Sequence, residues 1–517
     1  MKKTLLSLAL VICTQMNAQN LSDVLRYSQT SLNGSARFTA MGGAFGAVGG
    51  DFSAMEINPA GSSIFAFSEA GITFDSRQLT NNSSYFEGRG KDTNISLNTG
   101  QLGVVLLLNE TTGSGWSKVA FGFSYNKIND FDSSFAVQGT NPQNGIDQYF
   151  LFHAQGRYLD QISQLDDEEF NDAYLDIGEA PELGYSAQQA LFGYEGYVLN
   201  PIPLEGSDDL LNPDINRYAS NARPGTNGYT QKYNHTASGH TRKYTFNLSS
   251  SFQDRFYIGL NINSYAVSYS EIADFRESGY SSSSGLQSLR FNNALNTNGS
   301  GGSFQLGMIY KLNPKVRLGL SLNSPTYYRL TDRAYQFLNS EASTQEGNIT
   351  VRLDPGIDII FPEYRFNSPG SVRGSFCYII GDKGLISVDY SQKNLSNATF
   401  RSIDFDLIDS FDALNKLIEN EFAPTKTLQI GGEYRITPFL SLRAGYVSED
   451  ASQAGFDNSR TVVSAGFGYS FGASTLDLSL QMQSFANERP LFSQGLTDTV
   501  LLDRENRNLR ITYRVKL

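Results

Sequence analysis

Only three imidazoles occur in the chain, His153, His235 and His240. The last two frame the segment Asn234-His-Thr-Ala-Ser-Gly-His240, with Tyr233 beside them. A pair at that spacing could offer two nitrogens to a metal or a haem iron; the alternative is two solvated loop rings. The run Asp166-Asp167-Glu168-Glu169 reads either as a divalent-ion site or as the solvated face of a helix. Glycines at 42, 43, 46, 49 and 50 could cradle a phosphate, yet no Gly-Lys-Ser/Thr follows and no strand–turn–helix frame holds them. No Gly-x-Ser-x-Gly occurs, and no acid pair stands out beyond the loop charges. The expectation is a protein that is not an enzyme, with no catalytic residue, no cofactor and no metal.

The elements that position these residues are strands. The 517 residues are 40% hydrophobic, 12% aromatic and only 18% charged, with 48 glycines. Mean hydropathy is nevertheless negative, −0.31. Small polar residues and aromatics replace the missing charges, which excludes a helical membrane protein, a disordered chain and a disulfide scaffold. Period-2 alternation recurs throughout: Leu476, Leu478, Leu480 and Met482 alternate with Asp477, Ser479 and Gln481, and Leu509, Ile511, Tyr513 and Val515 with Arg510, Thr512 and Arg514. One face suits lipid and the other a hydrated lumen. Tight turn signals such as Gln253-Asp254, Asn313-Pro314-Lys315 and Thr437-Pro438 alternate with long connections at about 80–92, 140–240, 276–300, 331–363, 401–424, 449–459 and 487–506. That asymmetry gives about fourteen strands, the first at 63–79 and the last at 507–517. The fold class is all-β, an antiparallel transmembrane β-barrel with helical extracellular loops. Helices are expected near 158–175, 186–192 and 403–421.

The ends bound the location. Lys2 and Lys3 precede an apolar run from Leu5 to Cys13, so residues 1–18 are expected to be a signal peptide cleaved before Gln19. Its loss removes two lysines and no acid, taking the formal charge from −12 to −14. An acidic exported chain is a poor nucleic-acid binder. Cys377 is then the lone cysteine and forms no intrachain disulfide.

Residues 19–62 interrupt the strand pattern. They hold a short helix at 21–28, the glycine-rich run, and Asn58-Pro59-Ala60-Gly61 ahead of the first strand. Small residues at this density suit a chain packed inside a confined lumen. Here the sequence resembles the FadL-type outer-membrane transporters of hydrophobic compounds, in a Bacteroidetes-like form. Arg37-Phe-Thr-Ala-Met-Gly-Gly-Ala and Asn58-Pro-Ala-Gly61 carry the resemblance, with Asn367-Ser-Pro-Gly-Ser-Val-Arg-Gly and Gly432-Glu-Tyr-Arg further on. It implies a barrel (63–517) plugged by an N-terminal hatch (19–62), lodged in the outer membrane of a Gram-negative envelope. The implied function is passive uptake of hydrophobic molecules such as long-chain fatty acids. Capture would occur in the loops, followed by a hatch-gated pocket and release through a kinked third strand into the membrane lipid.

On that basis Phe38, Met41, Phe45, Phe52, Met55 and Ile57 are the expected apolar pocket, and Asn58, Pro59, Ala60 and Gly61 the hatch anchor. The kink falls in 115–139, where Asn126–Asp132 breaks the alternation; Asn129 and Asp130 mark either a lateral opening or the point where the strand leaves the membrane. The expected partners are a hydrophobic small molecule and lipid, acting on a monomer. A barrel serving surface-protein secretion, and a haemin receptor, are the alternative readings.

Overall fold

A computed structural model describes residues 21–109, 115–165, 167–180, 182–344, 347–404 and 411–517. The expected signal peptide lies outside the described residues, as do Asp166 of the acidic run and 405–410 of the third helical stretch. A backbone crossing hydrocarbon must satisfy every N–H and C=O internally, so alternating strands can cross only as a closed sheet. Fourteen antiparallel strands close it: β1 Glu69–Tyr85, β2 Gly88–Asn109, β3 Trp116–Asp130 with an outer segment Ser133–Asn141, β4 Tyr229–Phe252, β5 Phe256–Ser278, β6 Leu286–Asn313, β7 Val316–Asn323 with Thr326–Thr344, β8 Tyr364–Ser368 with Ser371–Ile380, β9 Gly384–Asn394 with Thr399–Ser402, β10 Pro424–Arg435, β11 Leu440–Glu449, β12 Arg460–Ser470, β13 Ser474–Pro490 and β14 Thr499–Lys516. β14 pairs back onto β1 from Glu69↔Lys516 to Ser84↔Leu501.

The alternation is realised in three dimensions. Leu476, Leu480 and Met482 are exposed on the outer face while Asp477, Ser479 and Gln481 are buried inside, and Leu509, Ile511 and Tyr513 oppose a buried Arg510 and Thr512. Short periplasmic turns use the residues that tolerate them: Gln253 and Asp254 both adopt positive φ (50° and 51°), and the Asn313 carboxamide accepts from Lys315 N at 2.9 Å.

At the other end the strands run further than the alternation suggested. β1 and β2 meet in a tight turn at Phe86-Glu87 where a loop at 80–92 was expected, and β5, β6, β13 and β14 continue well into the expected loops. Above the bilayer both faces are polar, so the period-2 signal fades while the hydrogen-bonded ladder persists. β4 accordingly starts at Tyr229, which shortens the large loop to 142–228 and places His235 and His240 on the wall.

That loop forms a cap. α1 is Leu21–Ser28, α2 Ala36–Ala40 and α3 Phe52–Ile57 in the N-terminal segment; the cap adds α4 Asp147–Ala154, α5 Phe170–Glu179 and α6 Gly184–Glu195, and α7 Asp412–Glu421 covers the same end. Phe150, Leu191 and Phe192 bury themselves against Phe291 and Leu338 of the wall. The cap is latched by Glu277, whose carboxyl accepts from Ile146 N (3.0 Å), Gln231 Nε2 (2.7 Å) and the Tyr280 hydroxyl (2.8 Å). Burial pushes this carboxyl up to about 8, and the nearby Asp147 carboxylate adds to the rise.

The hatch fills the lumen below. Ser35 caps α2 and Asp51 caps α3, and the Ser35 hydroxyl donates to Asp51 at 2.8 Å, so the two caps lock each other. A 3-10 turn over Pro59–Ile64 completes the segment. The wall accommodates this backbone through glycines: a Cβ at Gly103 would strike Phe52, at Gly259 Pro59, at Gly307 Asn58, at Gly431 Met41 and at Gly445 Gly42. Wall amides and hydroxyls then satisfy the hatch carbonyls: Asn261 donates to Met55 O (2.8 Å), Gln305 to Ile57 O (2.8 Å), Gln429 to Gly42 O (2.9 Å) and Ser464 to Ala40 O (3.1 Å).

Two outcomes are expected. Gly307→Leu drives a side chain into Asn58 and unseats the hatch, so planar-bilayer recordings should show a large steady conductance that the parent lacks; an unchanged conductance would contradict the seal. For Glu277, a raised folded-state value means the unfolded cap binds fewer protons than the folded cap between the ordinary value of 4.5 and about 8. The cap therefore loses stability as pH rises through that window. Hydrogen exchange at Ile146–Phe150, corrected for intrinsic rate, should accelerate over it, and Glu277→Gln should abolish the dependence.

Candidate functional site

Asn58 is the joint between hatch and wall. Its amide nitrogen donates to Gly46 O (2.7 Å) and Met308 O (3.0 Å), and its oxygen accepts from Ala60 N (3.2 Å), capping the 3-10 turn. Pro59 and Ala60 are buried against β5 and β6, and Gly61 N returns to Asn58 O at 2.8 Å. Around the periplasmic half, an ion-pair chain runs from the hatch into the wall: Arg37–Glu433 (2.8 Å), Glu433–Arg443 (2.6 Å), Arg443–Asp477 (2.7 Å) and Asp477–Arg514 (2.9 Å). Desolvated charges survive here because each has an opposite partner.

Above the hatch, α1 and residues 29–33 cross the lumen and leave a cavity on either side, of about 270 and 250 Å³. Of the six expected pocket residues, Phe38 and Ile57 line the first cavity. Met41, Phe45, Phe52 and Met55 do not: they are turned into the wall, Phe52 against Gly103 and Phe65, Met41 against Gly431, Met55 against Gly122, and Phe45 against Phe38 and Cys377. These four apolar hatch side chains seat the plug.

The cavity walls come instead from residues that alternation alone does not distinguish. Tyr27 of α1 sits 5.9 Å from Phe366 and 6.4 Å from Tyr328, at the edge of a cluster with Tyr364, Phe400 and Phe411. Cations face the same spaces. Lys393 Nζ donates to Ser28 O and to Ser368 Oγ (3.0 Å) in the first. In the second, Arg504 Nε and the carboxamide oxygens of Asn487 and Asn506 are buried with no hydrogen-bond partner. These atoms leave the cavity able to hydrogen-bond water or a polar group.

The wall itself is interrupted beside this lumen. β2 pairs with β3 only over Gln101–Asn109; Gly88–Gly100 bond β1 alone. Beyond Asp130 the third strand turns inward, and its outer segment pairs with β4 while crossing the lumenal face of the β1–β2 hairpin. The N–H groups on its free edge are taken by side chains, Ser134 N by Asn94 (2.9 Å) and Ala136 N by Asp92 (2.9 Å). Gly88 and Gly90 admit its backbone, because a Cβ at either would meet Gln138 O or Ala136 O. The unpaired edge of β2 carries Ile95 and Leu97 outward, exposed by 71% and 80%.

Asn129 and Asp130 stand at this break with separate contacts. Asp130 takes Arg77 Nη1 (3.0 Å), Asn98 Nδ2 (3.3 Å) and Ser96 Oγ (3.4 Å), spanning the unpaired interval. Asn129 instead holds the N-terminal segment, donating to Gln29 O (2.9 Å) and accepting from Ser31 N (3.2 Å).

The histidines do not form a pair. His235 points into the lumen, stacked on Phe135 with ring centres 5.0 Å apart, and burial lowers it to about 4. His240, an odd number of residues away on the same strand, faces outward. His153 lies in α4, bonded to Ser186 Oγ at 2.9 Å, and burial holds it at about 3. The two strand histidines therefore cannot ligate one iron, and no cluster of three His, Cys, Asp or Glu side chains suited to a metal occurs among the described residues.

A closed fourteen-stranded barrel, plugged from its own N-terminus and broken between β2 and β3, defines a plugged outer-membrane β-barrel. No family model and no curated protein matches the sequence. Among solved structures the chain is similar to a FadL homologue from Pseudomonas aeruginosa (12% identity over 94% of this chain and 99% of that one, TM-score 0.54). It is also similar to the Pseudomonas putida toluene transporter TodX (13%, 94% and 99%, 0.50) and to a TodX mutant described as a monoaromatic hydrocarbon channel (14%, 94% and 100%, 0.52). The chain has the fold of the FadL-type outer-membrane channels.

Asn58→Ala strips hydrogen bonds from Gly46 and Met308 and uncaps the turn. It is expected to weaken hatch seating by about 1–3 kcal/mol, read as faster hydrogen exchange across Gly46–Gly61 with the barrel strands unchanged.

Proposed function

We propose that the protein is a passive uptake channel for hydrophobic small molecules, and that its ligand is an amphiphile with an anionic head, such as a long-chain fatty acid, released sideways between β2 and β3. The single observation that carries this reading is the wall break at Gly88–Gly100, set beside a plugged lumen. Straight passage meets the hatch with its ion pairs and carbonyl bonds, whereas over this interval the β2 edge is tied to the third strand only through side chains, those around Asp130 and those of Asp92 and Asn94. A chain of methylenes gains about 0.8 kcal/mol per group on leaving water, so transfer of an apolar tail through such a break into lipid is favourable. Lys393 and Arg504 favour a carboxylate head over a neutral hydrocarbon, since a guanidinium or ammonium in a confined cavity is best satisfied by an anion.

The test is uptake of labelled oleate and of toluene by cells that have the protein as their only such channel. Ser96→Cys with Asp130→Cys, bridged by a bis-thiol reagent, should block both ligands and recover on cleavage of the bridge. Arg504→Gln should lower oleate uptake severalfold and leave toluene unchanged. Uptake that ignores the bridge would refute lateral release; equal loss of both ligands in Arg504→Gln would refute the anionic head. Surface proteins co-purifying with an empty lumen, together with normal uptake after deletion, would replace the whole reading by a secretion role.

A further inference from the structure

We propose that the outer face of the barrel carries a binding site for the phosphate groups of an outer-leaflet lipid, built by Arg329, Arg365 and Arg401. The three are directly opposite one another on adjacent strands: Arg329 of β7 is the register partner of Arg365 of β8, and Arg365 that of Arg401 of β9. Their neighbours in sequence, Tyr328, Leu330, Tyr364, Phe366 and Phe400, are buried in the lumenal aromatic cluster, so all three guanidinium groups leave on the outside, where they are exposed. Opposed residues on one sheet face stand about 5 Å apart at Cβ, and like charges so placed repel. The relief within the protein is slight. Glu363 approaches Arg329 at 3.9 Å with both side chains about half exposed, and Arg365 and Arg401 make no ion pair among the described residues. A row of three positive forks with one weak counter-charge lacks an anion.

The position of the row says which anion. Tyr327, two residues before Arg329 on the same face, is 58% exposed and continues the apolar band of Phe304 and Leu322. Two residues of strand span roughly 6–7 Å, less the tilt, which lifts the guanidinium groups from the hydrocarbon into the headgroup layer. All three strands also break just before the row, at Ser324-Pro325, Pro369-Gly370 and Leu395–Asn397, so their outer segments are set as one unit at this level. At that depth the available anions are lipid phosphates, and guanidinium binds phosphate through two parallel hydrogen bonds. The outer leaflet of such a membrane is a phosphorylated glycolipid, which offers two phosphates to three arginines. The site is on the opposite side of the wall from the cavities and does not depend on what they carry.

The experiment uses full-length protein in nanodiscs containing lipid A, phosphatidylglycerol or only zwitterionic lipid, with bound lipid counted by native mass spectrometry after detergent exchange. The parent should retain lipid A, and the Arg329→Gln/Arg365→Gln/Arg401→Gln variant should retain about tenfold less, the scale of one lost charge-assisted contact or two. Arg276→Gln/Arg290→Gln, a control on the same face, should behave as the parent. Equal retention by the triple variant overturns the site. Release of lipid A by millimolar inorganic phosphate overturns the lipid reading in favour of a free-phosphate site, and equal retention of phosphatidylglycerol overturns the glycolipid. If the triple variant fails to fold, judged by heat-modifiable mobility, Arg365→Gln alone decides: retention must fall, because Arg365 is the centre of the row.

Discussion

A peptide group in hydrocarbon has no water to fall back on, and leaving one unpaired costs several kcal/mol. Closure of β14 onto β1 follows from that, and so does the rarity of interruptions. Beyond single-residue bulges such as those at Thr73/Phe74 and Val316/Arg317, the wall departs from a regular ladder in two regions among the described residues, and each has its own compensation. At β7–β9 the strands kink at residues that cannot or need not donate, Pro325 and Pro369 among them, and pairing resumes beyond. Between β2 and β3 the ladder ends at Gln101, and backbone groups of the third strand's outer segment, at Ser134 and Ala136, are met by Asn94, Asp92, Asn81 and Ser83 instead. A break stabilised by side chains can be undone one contact at a time; a break in a ladder cannot. That difference is why the proposed lateral release is placed at β2–β3.

The same accounting applies to the hatch. Little of it is regular, so most of its carbonyls need partners from outside. The wall supplies them with Asn, Gln and Ser, and supplies room with glycines whose absent side chains let two backbones meet. The high glycine content and the low charge thus have one origin: a barrel that must grip an irregular chain at short range. The price is that almost every apolar hatch side chain is used in seating, which leaves the cavities lined by wall aromatics, amides and cations.

Fold and plug were legible because they are written in local periodicity and in a short motif. Alternation in β13 and β14 assigned faces correctly, and Asn58-Pro-Ala-Gly61 marked the start of the barrel. The outer halves of the strands were not legible: Ser264, Ser268 and Ser270 on β5 are polar outside and so carry no contrast with a polar lumen. The cavity lining was missed for a related reason. Whether Phe52 or Tyr328 meets open space depends on how the hatch sits against fourteen strands, a long-range fact. Lys393 and Arg504 left a fainter signal, cations at inward positions of strands, which alternation reveals once register is known.

The charge distribution sets the order of events for an anionic amphiphile. Residues 142–228 hold fifteen acids and three arginines, so the cap carries a charge of −12, the same as the whole chain. Such a cap does not draw anions from a distance. At physiological ionic strength, however, its field decays within about 8 Å in water, while a cation in a confined cavity acts at full strength at contact. On the proposed function, the first association is therefore apolar, through the tail, and the head would meet its cations only after the tail has entered. On that reading a ligand with a head and no tail would be turned away at the cap, and one with a tail and no head would pass without being held. The proposed selectivity would arise from that sequence of contacts, because neither the cap nor the cavity alone distinguishes an amphiphile.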